Sequence, residues 1–402
     1  MSNGLITVRK GREKPIRNQH PWIFSGAIAE ATSADAGDIV DVQTHKGVFL
    51  GRGYWNPTSQ IQVRMLAWQN EAIDKAWWRK MIIRAINGRA LNNIRHEDGE
   101  SIAYRLINAE NDYLPGLIVD RYGDWLVLQA LTLGIDQRKQ MIAEILIDVL
   151  KPKGIYERSD VDVRKREGLE QVTGVLTGEA PSEFITIEDI PQIQVDIVNG
   201  HKTGLYLDQI ENHKLLYNLI SNEIEGTIRL LNLFSYTGGF ALSALCAGGV
   251  QAVSVDSSTD MLKLAEKNVK LNAIPKEHSQ FVSADAFDYL HYCVQNDEQF
   301  DIVVVDPPKF AHNKQQIDKA SRGYKDLNLN TFKIIKSGGY MMTFSCSGAI
   351  SADLFQKIVF GALADSGRQA QIVQYLSASS DHPVAITFPE GAYLKGFLLR
   401  VF

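Results

Sequence analysis

Cysteine is scarce in this sequence: Cys246, Cys293 and Cys346 are the only three in 402 residues. They are odd in number, far apart and without metal-ligand spacing, so neither a disulfide scaffold nor a bound metal is expected. A reducing cytoplasm is the simplest assignment. No apolar run approaches the ~20 residues that span a bilayer. Met1 to Lys10 lack the apolar stretch of a secretory signal, and no membrane partner is expected. Internal repeats and low-complexity tracts are absent as well. Nor is there an excess of positive charge. The 42 Lys and Arg against 47 Asp and Glu leave a net charge of −5, which does not announce a nucleic-acid binder.

The charge that is present is unevenly placed. Residues 1–100 hold 14 Lys and Arg and 10 Asp and Glu, a balance of +4, which leaves −9 for the remainder. Within that segment Arg9, Lys10, Arg12, Lys14 and Arg17 are opposed only by Glu13. Such a cluster can neutralise RNA phosphates, although a solvated charged edge has the same composition.

Length predicts two or three domains. Residues 1–72 read as short strands between turns, including Ile39 to Val42, Val48 to Tyr54 and Ile61 to Leu66, and suggest a small β-barrel. Residues 73–185 read as a small α+β module. Its helix from Ala72 to Asn87 carries Trp77, Trp78, Met81 and Ile82 at helical spacing and stops at Gly88. Strands are expected around Arg105–Ile107, Leu117–Asp120, Trp125–Leu128 and Ile155–Tyr156, with a second helix from Asp136 to Leu150.

From 186 to 402 strands alternate with helices, which predicts an α/β domain with a mostly parallel sheet covered on both faces. Ile228 to Phe234, Ala252 to Val255, Phe300 to Val305 and Gly339 to Phe344 are its strands. Phe240 to Ala247 and Asp260 to Asn272 are helices, the latter capped by Ser258 or Thr259.

In such a sheet a ligand binds beyond the carboxyl ends of the strands, where the strand order reverses. Phe234-Ser235-Tyr236-Thr237-Gly238-Gly239 runs from strand into helix, and its glycines allow close approach to the backbone. Asp256, followed by Ser257, ends the next strand, where a carboxylate can accept hydrogen bonds from ribose hydroxyls. Asp285-Ala286 follows another strand, and Asp285 could accept from an adenine amino group. The three spaced glycines that admit a pyrophosphate are missing. A nucleoside cofactor without phosphates fits better, and S-adenosyl-L-methionine is the common one.

Asp306-Pro307-Pro308-Lys309-Phe310 follows one strand, its prolines stiffening the loop, and Ser345-Cys346-Ser347 ends the next. Cys246 and Cys293 are assigned to amphipathic helices as inert packing. Cys346 differs: it stands at a strand tip among small polar residues. A thiolate there could attack carbon 6 of a pyrimidine and activate carbon 5 for methylation, with Asp306 holding ring nitrogen 3.

Long ordered motifs carry a family resemblance. They include His20-Pro21-Trp22-Ile23-Phe24, Leu114 to Tyr122, Glu157 to Arg164, Lys202 to Gln209, Asp306 to Phe310, Ser345 to Gly348 and Tyr393-Leu394-Lys395-Gly396-Phe397. Through these the chain resembles the bacterial large-subunit (23S) ribosomal RNA 5-methylcytosine methyltransferases over nearly its whole length. The resemblance implies an N-terminal PUA domain, a small central domain and a Rossmann-like methyltransferase domain, with ribosomal RNA as partner. A homodimer is left open. It implies Cys346 as nucleophile, and cofactor contacts from Gln209, the Phe234–Gly239 loop, Asp256, Asp285 and Asp306. Many RNA 5-methylcytosine enzymes carry a second cysteine after the prolines. Here Lys309 stands there, facing the RNA, and the base that removes the carbon 5 proton is open between Tyr206, Lys309 and an ordered water. Two alternatives stand against this reading. One is a guanine or adenine amino methyltransferase, which often has an aromatic residue directly after the prolines. The other is a non-catalytic assembly factor, which the intact Gly238, Gly239, Asp256, Asp285 and Asp306 oppose.

Overall fold

The computed structural model describes residues 4–90, 102–187, 191–223, 226–311 and 313–402. The chain divides into two compact units. The first comprises residues 1–187, 195–207 and 380–391, and the second residues 188–194, 208–379 and 392–402.

The first unit contains two sheets. Six strands lie in the order Trp22–Phe24, Ile61–Ala67, Phe49–Trp55, Ile39–Thr44, Gly4–Val8 and Ile28–Thr32. Alternate residues such as Val40 and Val42 point inward, as a half-buried strand requires. Ile23 and Ile28, from opposite edges, share one core with Ile6, Val8, Val63 and Met65, so the sheet curls around its own interior.

The second sheet has five strands, in the order Val172–Gly178, Gly154–Ser159, Trp125–Ala130, Leu117–Tyr122 and Ala103–Asn108. The helices Lys75–Ala90 and Lys139–Leu150 bury Trp77, Trp78, Ile82, Ile142 and Leu146 in the same core as its strands. Two local expectations fail here. The first helix runs through Gly88 because Arg89 is anchored beyond it, its guanidinium held by both oxygens of Asp112 at 2.7 and 2.8 Å and by the Arg105 carbonyl at 3.0 Å. Tertiary anchoring outweighs the roughly 1 kcal/mol that glycine costs in a helix. The second helix is split. Leu133–Asp136 is a separate turn, and Arg138 marks the break, bonding back to the Gly134 carbonyl at 2.8 Å.

The second unit is a doubly wound α/β sheet. Its elements in chain order are α1 (Ile210–Glu223), β1 (Ile228–Leu233), α2 (Gly239–Ala247), β2 (Val250–Asp256), α3 (Thr259–Leu271), β3 (Ser279–Ser283), α4 (Ala286–Gln295), β4 (Phe300–Val305), α5 (Ile317–Ile334), β5 (Ile335–Ser345), α6 (Ala352–Ser366), β6 (Ala370–Ser377) and β7 (Lys395–Val401). The sheet order is β3-β2-β1-β4-β5-β7-β6. The first five are parallel, and β7 is antiparallel to both β5 and β6. The apolar strands β1, β4 and β5 occupy the middle, as strands covered on both faces must. Helices α4, α5 and α6 pack one face through Leu290, Tyr324, Leu327, Phe332 and Phe355. The strand order reverses between β1 and β4, so the loops leaving those two strands flank the crevice where such folds bind ligands.

Candidate active site and nucleic-acid interface

The loop from β1 to α2 is shaped by backbone strain. Phe234 and Tyr236 have φ of 57° and 50°, and Gly238 has 80°. The left-handed conformation costs a non-glycine residue roughly 1–2 kcal/mol, and such strain gathers at ligand loops. What holds it is the Asp256 carboxylate at the tip of β2, which accepts from Tyr236 N at 2.8 Å and Ser258 N at 2.9 Å. Ser258 in turn caps α3. Asp256 therefore ties the two expected cofactor loops together.

Asp285 is exposed and caps α4, its Oδ1 accepting from Phe287 N at 2.8 Å and Asp288 N at 3.3 Å. Ala286 behind it is buried, and Ser257 is exposed. An aromatic row not anticipated from sequence runs from this edge toward β5. Phe234 meets Phe287 at 6.4 Å, Phe287 meets Phe310 at 6.0 Å, and Phe310 meets Tyr324 at 4.8 Å.

These residues fit S-adenosylmethionine. The carboxylates at the tips of β2 and β3 can accept from hydroxyls and an amine. Ser235 Oγ, in the loop itself, is buried without a hydrogen-bond partner.

The expected catalytic residues lie at the ends of β4 and β5. Asp306 follows β4, and Gln209 Nε2 donates to its Oδ2 at 2.9 Å. Asn212 on α1 holds Gln209 Oε1 at 2.6 Å and the Ser377 carbonyl at 3.0 Å. This chain fixes the rotation of the Asp306 carboxylate. Cys346 follows β5, the parallel neighbour of β4. Its Sγ lies 3.8 Å from the Pro307 carbonyl. The structure thus brings Asp306 and Cys346 to adjoining strand tips, as expected.

Ser345 and Ser347, on either side of the cysteine, are both tied to the buried Tyr324 hydroxyl, at 2.9 and 3.0 Å, and Ser347 Oγ accepts from Ala311 N at 3.2 Å. Lys395 Nζ donates to the carbonyls of Ser347 at 2.8 Å and Ile350 at 2.7 Å. Sequence reasoning gave no role to Asn212, Tyr324 or Lys395. The only signal for Lys395 was its place in the Tyr393–Phe397 motif. Lys309 is exposed beyond the prolines.

The other two cysteines behave differently. Burial pushes the Cys293 thiol up to about 11, and burial also raises that of Cys246. One expectation needs correction. The helix carrying Cys246 is not amphipathic, since every residue from Gly239 to Leu245 is buried. A short helix wedged against the sheet has no solvent face to spare.

In the first unit, Arg9, Lys10, Arg12, Lys14 and Arg17 are all exposed, grouped on a turn and the one-turn helix Lys14–Arg17. None forms an ion pair among the described residues. Arg12 and Lys14 line a groove of about 620 Å³ whose wall also includes His20, Trp22 and Phe24. Phe24 is 50% exposed. Cations beside open aromatic rings suit single-stranded nucleic acid, which offers phosphates and stacking faces together.

Comparison with known proteins gives two family matches. Residues 6–68 match a PUA-like domain, and residues 158–399 match the S-adenosylmethionine-dependent methyltransferase family. A protein named Ribosomal RNA large subunit methyltransferase I from Escherichia coli O127:H6 is 43% identical over 399 residues, which covers 98% of this chain and 99% of its own. The protein of that name from Shigella boydii serotype 4 matches to the same extent. A solved structure from Streptococcus mutans, provisionally assigned as a SAM-dependent methyltransferase, superposes over the whole of both chains with a TM-score of 0.83 at 22% identity. A second solved structure, of a provisionally assigned methyltransferase complexed with SAH, gives 0.84 at 22% over the same coverage. At that identity the likeness is one of fold.

Proposed function

We propose, on the premise that this chain belongs to the S-adenosylmethionine-dependent methyltransferase family, that it methylates carbon 5 of a cytosine in large-subunit ribosomal RNA through a covalent cysteine adduct. The observation that carries this reading is a thiol, Cys346, set 3.8 Å from the Pro307 carbonyl and one strand from Asp306. An enzyme that methylates an exocyclic amine has no use for a nucleophile there. The name of the 43% identical relatives supports ribosomal RNA as substrate. The PUA-like segment and its exposed basic cluster supply a surface to hold it. In this reading residues 1–72 bind RNA, 73–185 form a central module and 186–402 form the catalytic domain, working in the cytoplasm.

Bound S-adenosylmethionine supplies an electrophilic methyl group. Asp256, steadied by two backbone N–H groups, would hold the ribose hydroxyls, and Asp285 would accept from the adenine amine. Asp306, its carboxylate turned by Gln209, shares a proton with ring nitrogen 3 of the cytosine and takes up charge that develops there. The Cys346 thiolate adds to carbon 6. A carbon–sulfur bond forms, and the electron pair of the 5,6 double bond makes carbon 5 nucleophilic. After methylation a base takes the carbon 5 proton, the double bond re-forms and the thiolate leaves. Lys309, Tyr206 and an ordered water are the candidates for that base.

RNA carrying 5-fluorocytosine tests the reading, because fluorine cannot leave carbon 5 as a proton and the adduct persists. The wild type should give a denaturation-resistant RNA–protein band that depends on S-adenosylmethionine. Cys346→Ser should lose both band and turnover, while Cys246→Ser and Cys293→Ser keep both. Turnover that survives every single cysteine substitution would favour transfer to an exocyclic nitrogen instead.

A further inference from the structure

A thiol needs to be ionised before it can attack, and nearby positive charge favours that form. Two cations stand near Cys346. Lys309 is exposed on the loop after β4, where water screens it. Lys395 is half-buried at the start of β7, directly across the β5–β7 ladder from Ser345. Its ammonium crosses beneath the residues just beyond β5 and binds the carbonyls of Ser347 and Ile350. No carboxylate pairs with it among the described residues. Even partial burial of a cation without an anion carries a desolvation cost, and the group that could offset that cost here is Cys346 in its ionised form.

We propose that Lys395 is a positioning residue for Cys346: it ties down the turn that carries the thiol and supplies the positive charge that favours the thiolate. The inference rests on the reading of Cys346 as nucleophile and deepens it. The groups facing this pair come from three elements. Lys309, on the loop after β4, repels Lys395. Tyr324 on α5 is engaged by Ser345 and Ser347. Asp306 is engaged by Gln209, and Asp353, in the first turn of α6, is exposed and paired with Lys357. Burial brings the Lys395 ammonium down to about 8, with Cys346 acting to raise it and Lys309 to lower it. At neutral pH it is therefore mostly charged. The proton that Cys346 gives up passes to water, and no other reactant is required.

The test is the pH dependence of Cys346 alkylation by iodoacetamide in the full-length protein, read by mass on the peptide that contains it. Cys246 and Cys293 stay in place. Lys395→Met should move the midpoint of the alkylation curve upward and slow alkylation at pH 7 by about tenfold. Lys395→Arg should restore the midpoint. A purely structural role would change the plateau rate through access and leave the midpoint where it was; that result would overturn the proposal. So would a midpoint that moves in Lys309→Met and not in Lys395→Met. Retained S-adenosylmethionine binding serves as the check that Lys395→Met is folded. If it fails that check, Lys395→Gln and Lys395→Arg are compared in its place, and equal midpoints for these two also overturn the proposal. Turnover is measured separately. Activity that survives Cys346→Ser would remove the nucleophile reading, while the alkylation midpoints would still decide whether Lys395 governs the thiol.

Discussion

Gly239→Ala probes how the cofactor loop is built. Gly239 opens α2 without a positive φ, so its backbone would accept alanine. Space is what forbids it. An added Cβ would lie 2.4 Å from His213 Cε1, 2.9 Å from Nε2 and 3.1 Å from Nδ1. His213 cannot easily withdraw, being 9% exposed with its ring 4.3 Å from that of Phe240. Either the ring or the helix must move by about 1 Å to regain ordinary contact, and overpacking of this kind costs about 1–3 kcal/mol. Because α2 begins where the Phe234–Gly239 loop ends, S-adenosylmethionine affinity should fall with it. Gly367→Ala is the reference. That glycine has φ of 69° with nothing within 4 Å of its Cβ position, so alanine there carries backbone strain alone, about 1 kcal/mol. Amide hydrogen exchange within the unit measures the stability of each variant. His213→Ala should relieve the clash, so the double variant should be more stable than the two single effects predict by about 1 kcal/mol or more. Additive effects, or a Gly239→Ala protein as stable as the parent, would refute the steric account.

Three further outcomes are expected from the same geometry. Asp256→Ala removes the acceptor for two backbone N–H groups and for the ribose, and should weaken S-adenosylmethionine binding by about 1.5–3 kcal/mol, on the order of ten- to a hundredfold; calorimetry giving unchanged affinity would remove this carboxylate from the site. Neutralising Arg9, Lys10 and Arg12 together should flatten the salt dependence of RNA binding, and an unchanged slope would leave the cluster as a solvated edge. His213 is lowered from 6.5 to about 4 by burial, with Asp208 acting in the opposite sense. The unfolded chain therefore takes up a proton between those values that the folded one refuses. Its contribution to stability is fully present above pH 6.5 and is lost as pH falls toward 4, with a slope of up to about 1.4 kcal/mol per pH unit. His213→Gln should flatten urea midpoints across that window.

The parts of this protein that were legible in its sequence are those whose signal is local. β1 and β4 declare themselves by their apolar runs, and the loops leaving their tips, Phe234 to Gly239 and Asp306 to Phe310, are contiguous with them. Asp256 and Cys346 could be placed for the same reason. The helix ends at 88 and 136 are not legible locally because distant partners set them: Arg89 is held by Asp112, and Arg138 reaches the Gly37 carbonyl at 2.9 Å.

The residues missed at the site share one property, which is that each acts on a tip from elsewhere in the chain. Asn212 and Ser377 are 165 positions apart, Lys395 and Ser347 are 48 apart, and Tyr324 and Ser347 are 23 apart. On their own helices and strands they look like ordinary polar residues. Asn212 could be any solvated side chain of α1, and Tyr324 any core aromatic of α5. Their roles come from the order in which strands are laid down. The sheet places β7 beside β5 although the chain makes β6 first, and that insertion is what carries Lys395 to the cysteine. A motif fixes which atoms can react. The topology determines which charges and hydrogen bonds surround those atoms, so residues that tune the reaction are found by asking what the sheet order brings to each strand tip.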